Sequence, residues 1–173
     1  MSVGLLLLRI LLAALLAGHA AQKLFGWFRG TGLSTSAVLF EAWGFRPGKA
    51  MVTLAGASEL IGSTSIGFGL LTPAGCAVVI GTMIVAASPN LKNGLWAHMG
   101  GFEVPVVYGG MAAVIACTGP GRYSLDRAAG LNSLHNAGWS VAAIAVGCVA
   151  AVPPLLRRRH LLASPVTPTQ GET

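Results

Sequence analysis

Charge is scarce in this chain: of 173 residues only 9% are Asp, Glu, Lys or Arg, against roughly 25% in soluble domains. Cysteine is scarce too. Cys76, Cys117 and Cys148 each stand alone in an apolar stretch, and there is no CxxC pair. That argues against a thiol–disulfide enzyme working through its own cysteines and predicts three small buried residues. No nucleophile elbow, P-loop or HExxH occurs, so no standard catalytic constellation declares itself. Basic residues are nowhere interleaved with stacking aromatics, which sets nucleic acid aside as a partner despite the net charge of +6 and pI of about 9.9.

What is abundant is apolar sequence. Hydrophobic residues make up 54% of the chain, and the mean hydropathy is +0.71. A soluble fold of this size buries only about 70% of its surface and could not hide that much; lipid can. The 24 glycines fit helices that approach closely in a bilayer through small residues. The composition predicts an all-α, polytopic transmembrane bundle.

Five spans emerge along the chain. The first runs from Val3 to about Gln22. Arg9 interrupts it and no basic segment precedes it, so it reads as a retained helix rather than a cleaved signal. Lys23, Trp27, Phe28 and Arg29 follow as an interfacial anchor. Residues 30–47 form an amphipathic connector, with Ser34, Thr35 or Ser36 as cap of a short helix ending at Gly44. Span two extends from about Gly48 to Leu71 and carries Ser58, Gly62, Ser63 and Gly67 at packing spacing. Thr72-Pro73 turns into span three, which ends at Pro89-Asn90. Span four is Phe102–Thr118, closed by Gly119-Pro120-Gly121. Span five covers about Ser133 to Val152, with Gly138/Ala142 and Ala143/Gly147 as small-residue pairs and Pro153-Pro154 as its terminator. The expected division is a four-helix core at 1–130, an added transmembrane helix at 131–156, and a basic then disordered tail at 157–173. Lys23, Arg29, Arg46, Lys49, Lys92 and Arg157–Arg159 fall on one side and Arg122 and Arg127 on the other. This predicts a multi-pass cell-membrane protein with the N-terminus outside and the C-terminus cytoplasmic.

Arg9, His19, Glu59 and Glu103 fall within spans or at their edges, where a charge costs at least ~2.5–3.5 kcal/mol. At ~1.5 Å per residue, Arg9 lies ~9 Å below the outer face and Glu59 ~15 Å above the inner one, about 6 Å apart in depth. An Arg9–Glu59 pair is therefore expected, with His19 and Glu103 as a second pair at the inner side. His19 and Lys23, at i and i+4, share a face. Such a set serves either as glue fixing helix register or as a polar pocket for a quinone head group, a proton relay or a transported substrate. His19, His98 and His135 are scattered, and no metal site is expected.

Several segments together resemble the DoxX family of small membrane proteins. Leu8-Arg9-Ile10 followed by Gly18-His19-Ala20-Ala21-Gln22-Lys23-Leu24-Phe25-Gly26 is similar to its LR…HGxQKLFG signature, with Ala20 where glycine is usual. Phe40-Glu41-Ala42-Trp43-Gly44-Phe45 resembles its FExLG stretch. Glu59-Leu60-Ile61-Gly62 with Gly69-Leu70-Leu71-Thr72-Pro73 resembles its ElxGxxLxxGLlT segment. Phe102-Glu103 is similar to the opening of its last core helix, and Gly119-Pro120-Gly121-Arg122-Tyr123-Ser124-Leu125-Asp126 to its GPGxYSLD loop. The resemblance covers about residues 5–127 and leaves span five as an extension. It implies a four-helix membrane core. It also implies polar-site positions at Arg9, His19, Gln22, Lys23, Glu59, Glu103 and Asp126, and a loop motif of Gly119, Pro120, Gly121, Tyr123, Ser124 and Asp126. The family is named for a subunit associated with quinol oxidase and thiosulfate:quinone oxidoreductase, and some relatives are linked to oxidative-stress defence. The resemblance thus implies a subunit of a quinone-linked or oxidative-stress-related redox system, with quinone as the cofactor to test. The alternatives are a scaffold for soluble or membrane redox proteins, and a small-molecule or lipid transporter. Oligomerisation is open, and so is whether the chain is itself catalytic.

Overall fold

A computed structural model describes residues 2–163. Every regular element among them is helical: α1 Ser2–Phe25, α2 Gly32–Ala42, α3 Gly48–Phe68, α4 Thr72–Ala87, α5 Glu103–Thr118, the short α6 Leu125–Ala128 and α7 Ala137–Ala163, with 3-10 turns between them. An all-α bundle results. α3 packs against α1, α2 and α4, while α4 also packs against α5 and α7. Call the end of the bundle where α1 begins the upper end, and the end where α1 finishes the lower. α1 and α3 run antiparallel, α3 and α4 are joined at the upper end, and α4 and α7 both run downward.

Three helical segments are long and apolar enough to cross a membrane: Ser2–Phe25, Thr72–Asn93 and Ala137–Ala163. α5 is apolar but has only 16 residues, and α3, at 21 residues, carries Lys49 and Glu59. Large aliphatic side chains point outward all round, as at Leu7 (62% exposed) and Val149 (68%). A surface of that kind is solvated by acyl chains, not water. The core beneath it is Leu12, Leu16, Ile66, Val79, Met83, Tyr108 and Ile115 with small residues between.

Close helix approach falls where the glycine spacing predicts it in part. A Cβ on Gly62 would sit 2.5 Å from Val79, and one on Gly81 would sit 2.9 Å from the Gly147 carbonyl. The α3–α4 and α4–α7 seams therefore rest on bare backbone. Gly138 is different, since nothing but Asn136 in the preceding turn lies within 4 Å of its Cβ position.

Four expectations are corrected. The connector helix starts at Gly32, ahead of Ser34, Thr35 and Ser36; Thr31 precedes it without a side-chain cap, and its hydroxyl instead meets Ser36 at 2.7 Å. Pro153-Pro154 does not end the last span, because α7 continues through both to Ala163. The arm beyond them is held from outside: Arg158 donates to the Trp43 carbonyl at 2.8 Å and lies 5.6 Å from the Phe45 ring, and Leu162 fills the space over Gly44. Residues 157–163, expected as the basic start of a tail, are thus helical; the part expected to be disordered, 164–173, lies outside the described residues. Finally, only Cys76 is buried, whereas Cys117 and Cys148 face outward. On a lipid-facing surface a thiol is simply another small apolar group.

Candidate functional site

The charged residues sort into two groups at different depths. At the upper end Arg9 is 1% exposed and has no carboxylate hydrogen-bonded to it. Its guanidinium is spent on four carbonyls: Nε donates to Ile66 (2.8 Å), Nη2 to Gly67 (2.8 Å), and Nη1 to Pro120 and Tyr123 (both 2.7 Å). These are the last turn of α3, where carbonyls run out of i+4 partners (that of Ile66 also accepts from Gly69 N), and the loop after α5. Beside it Asp126, fully buried, accepts from Leu71 N (2.7 Å), Thr72 N (3.0 Å) and Thr72 Oγ1 (2.7 Å). His135 Nε2 lies 3.3 Å from Asp126 Oδ2, a close approach without hydrogen-bond geometry. Ser124 caps α6 by accepting from Arg127 N, and its own hydroxyl donates to the Gly121 carbonyl. The Gly119–Asp126 loop is therefore a clamp that ties α1 to the α3–α4 turn. Arg9 and Asp126 are hydrogen-bonded within it, and His135 Nε2 is the buried atom there left without a hydrogen-bond partner.

The expected Arg9–Glu59 pair does not form. The antiparallel register sets Arg9 against residues 66 and 67, seven or eight residues above Glu59, or about 11 Å at 1.5 Å per residue. The depth estimate failed because it measured each span from its own first residue, as though both began at a membrane face. Nor do His19 and Glu103 pair. Glu103 opens α5 and accepts from Ala97 N at 2.9 Å, closing the turn before it; His19 rests on the Tyr108 ring with centroids 5.6 Å apart.

Glu59 finds Lys23 instead. Nζ donates to Oε1 at 2.6 Å, with the lysine side chain 22% exposed and the glutamate 5%. The second oxygen, Oε2, is buried and has no hydrogen-bond partner. Such a group costs about 1–3 kcal/mol, more when charged, and calls for an explanation. The pair borders a cavity of about 840 Å³ between α1, α2, α3, α4 and α7. His19, Gln22, Lys23 and Glu59 line it; Arg9 and Glu103 do not. The rest of the wall is mainly apolar, including Leu39, Phe40, Val78 and Pro153, with Arg29 and Arg157 as its other cations. Gln22 is positioned by the chain that follows it, since Gly30 packs so tightly on its backbone that a Cβ would lie 2.4 Å away.

Sequence reasoning missed the contributions of α2, α4 and α7 to this wall, and it missed His135 beside Asp126. Neither leaves a local signal: each depends on which distant helices become neighbours. Among the described residues no group of three His, Cys, Asp or Glu side chains is placed to share a metal ion.

A helical membrane protein with a mainly apolar cavity lined by a largely buried ion pair is the class that fold and site define. The model of the DoxX family matches residues 4–99, which span α1 to α4 and the turns after it. The chain belongs to the DoxX family. No curated protein and no solved structure matches it significantly.

Proposed function

We propose that the protein is the membrane subunit of a quinone-linked redox system and that the cavity beside Lys23 and Glu59 receives the quinone head group. The observation that carries this reading is the Glu59 carboxyl, whose second oxygen has no hydrogen-bond partner, in the wall of a large, mainly apolar cavity, together with membership of the family. Ligand sites of about 300–1,000 Å³ are commonly apolar with a few polar groups that fix orientation. A bound quinone would supply two-electron, two-proton redox chemistry. The chain's own part is to exclude water with the α2 and α7 walls, orient the head group with the Lys23 ammonium and the His19 ring, and hold or release a proton at Glu59 Oε2. Lys23 keeps two N–H donors after its bond to Glu59. The electrons would come from a partner subunit or directly from a reducing substrate.

In this reading α1, α3, α4, α5 and α7 all cross the cell membrane, and residues 1–130 form the core that α7 extends. The lower end carries Lys23, Arg29, Arg46, Lys49, Lys92 and Arg157–Arg159, which supports a cytoplasmic lower end and an external N-terminus. Solvent extraction of protein purified from native membranes, followed by chromatography, tests the reading. A near-stoichiometric quinone is expected. A quinone-free protein that also fails to reduce a quinone analogue with any sulfur donor would overturn it.

A second reading has one observation in its favour. The basic end of α7 is a fixed helical arm rather than a loose tail, with Arg158 locked on Trp43 and Phe45. Such an arm suits a scaffold for soluble redox partners. Stable partners recovered in mild detergent even from Glu59→Gln would favour it over the cavity.

A further inference from the structure

The wall of α7 contains an acceptor that the sequence itself strands. In a helix the carbonyl of residue 150 bonds the N–H of residue 154, or of 153 in a tightened turn. Both are proline and neither has an N–H. The Ala150 carbonyl therefore lacks both donors, and Ala150, Pro153 and Pro154 all line the cavity. Hydrocarbon offers no replacement donor, and freed carbonyls in membrane helices are satisfied by neighbours or bound molecules.

Helix register puts this carbonyl near the depth of Glu59. Gly62 of α3 packs on Val79 of α4, so Glu59, three residues lower, is level with Thr82. Gly81 packs on Gly147 of α7, so that level corresponds to Cys148. Ala150 is two residues lower, or about 3 Å at 1.5 Å per residue. Both groups are acceptors. Glu59 Oε1 accepts from Lys23 while Oε2 has no partner, and the terminal torsion is a soft two-fold rotor that can turn either oxygen toward the cavity.

We infer that the occupant of this cavity is a hydrogen-bond donor at two points: an apolar molecule with two hydroxyls, one for the Glu59 carboxylate and one for the Ala150 carbonyl. This rests on the proposed function and makes it directional, since within a quinone–quinol couple the dihydroxy form is the one the site holds. A molecule bearing only carbonyls can be met by Lys23 and His19 but leaves both acceptors stranded. Pro154 thereby becomes a specificity-determining residue, acting by what it withholds, and it lies outside the residues matched by the family model.

The test is binding of tetramethyl-1,4-hydroquinone, kept reduced under nitrogen, to the full chain in phosphatidylcholine nanodiscs by equilibrium dialysis. Its dimethyl ether and tetramethyl-1,4-benzoquinone are the comparisons. The diol is expected to bind about tenfold or more tightly than its ether, about the worth of one good hydrogen bond. Pro154→Ala returns an N–H to the Ala150 carbonyl and removes a helix-breaking ring, so it folds at least as well. It is expected to weaken the diol about threefold to tenfold and leave the ether unchanged. Equal affinity for diol and ether overturns this inference while leaving the cavity reading standing, as does a diol preference that Pro154→Ala leaves undiminished. If none of the three compounds binds, both readings fall.

Discussion

Lys23 Nζ and Glu59 Oε1 stand 2.6 Å apart and join the lower end of α1 to the middle of α3. The lysine is partly exposed and the glutamate almost wholly buried, so the two partners are not equally dependent on each other. Removing Lys23 leaves a carboxylate in the bundle with no cation beside it. Lys23→Met is expected to destabilise by about 3–5 kcal/mol. Glu59→Gln, which keeps an acceptor for the lysine, should cost less, about 1–2 kcal/mol. The paired replacement Lys23→Met with Glu59→Leu should recover much of the loss, since it removes both charges. Thermal unfolding in one detergent, read as a double-mutant cycle, checks this. A Lys23→Met protein that melts with the wild type would show that the contact contributes nothing.

Arg9 is a different kind of buried charge. Its five donors in a rigid fork meet four carbonyls from two separate segments. Lysine keeps the charge but offers three donors at one point. Arg9→Lys is therefore expected to destabilise by about 2–4 kcal/mol, with at least one of the four carbonyls losing its side-chain donor. Because Arg9 does not line the cavity, ligand affinity in Arg9→Lys protein that remains folded should stay within about twofold of wild type. The measurements are a melting curve and the quinone content of the surviving fraction. A folded Arg9→Lys protein that loses its ligand would place Arg9 in the site after all.

Asp126 holds a strained turn. Leu71 has φ +49°, in the left-handed region that costs a non-glycine residue roughly 1–2 kcal/mol, and its N–H and that of Thr72 both point at the Asp126 carboxylate. Asp126→Ala strands two backbone donors and a hydroxyl, and should cost about 3 kcal/mol or more. Leu71→Gly relieves the strain and should stabilise by up to about 1 kcal/mol, after allowing for the greater freedom of glycine in the unfolded chain. Melting curves of the two variants should move in opposite directions. If Leu71→Gly falls as far as Asp126→Ala, the side chain of Leu71 matters more than its backbone.

These residues also show where sequence reasoning stops. The helices were legible because apolar length, proline and glycine act locally: Gly119-Pro120-Gly121 does end α5, and Thr72-Pro73 does open α4. That Arg9 and Glu59 would be buried with partners was legible too, because an isolated charge in a bilayer is untenable; Asp126 stood in a polar loop by its sequence and was a site position only through the resemblance. Which partner each would take was not. Sliding α1 past α3 by two turns exchanges the neighbours of Arg9 and Glu59 without altering the hydropathy of either helix. Pro153-Pro154 misled for a related reason. Local chemistry says stop, but contacts of Arg158 and Leu162 with a connector more than a hundred residues away hold the helix together. The cavity, built from five helices, was the least legible feature of all.

The α4–α7 seam gives the cleanest test of that distinction, because the sequence offers Gly138 and Gly147 as equivalent small residues and the structure does not. A Cβ at Gly147 would lie 2.8 Å from the Ala77 carbonyl and 2.9 Å from Ile80, on a neighbouring backbone that cannot give way cheaply. Gly147→Val must separate α7 from α4 and should cost about 2–3 kcal/mol or more, opening the cavity wall that α7 supplies. At Gly138 the nearest atom is the Asn136 side chain of the preceding turn, at 3.1 Å, and no neighbouring helix approaches. Gly138→Ala should therefore leave stability within about 0.5 kcal/mol, or raise it by up to about 1 kcal/mol through helix propensity. Melting midpoints of the two variants, followed by size-exclusion chromatography in detergent, check the contrast. Equal midpoints for the two would mean that α7 does not seat against α4 along Gly81 and Gly147, and the register linking Ala150 to Glu59 would go with it.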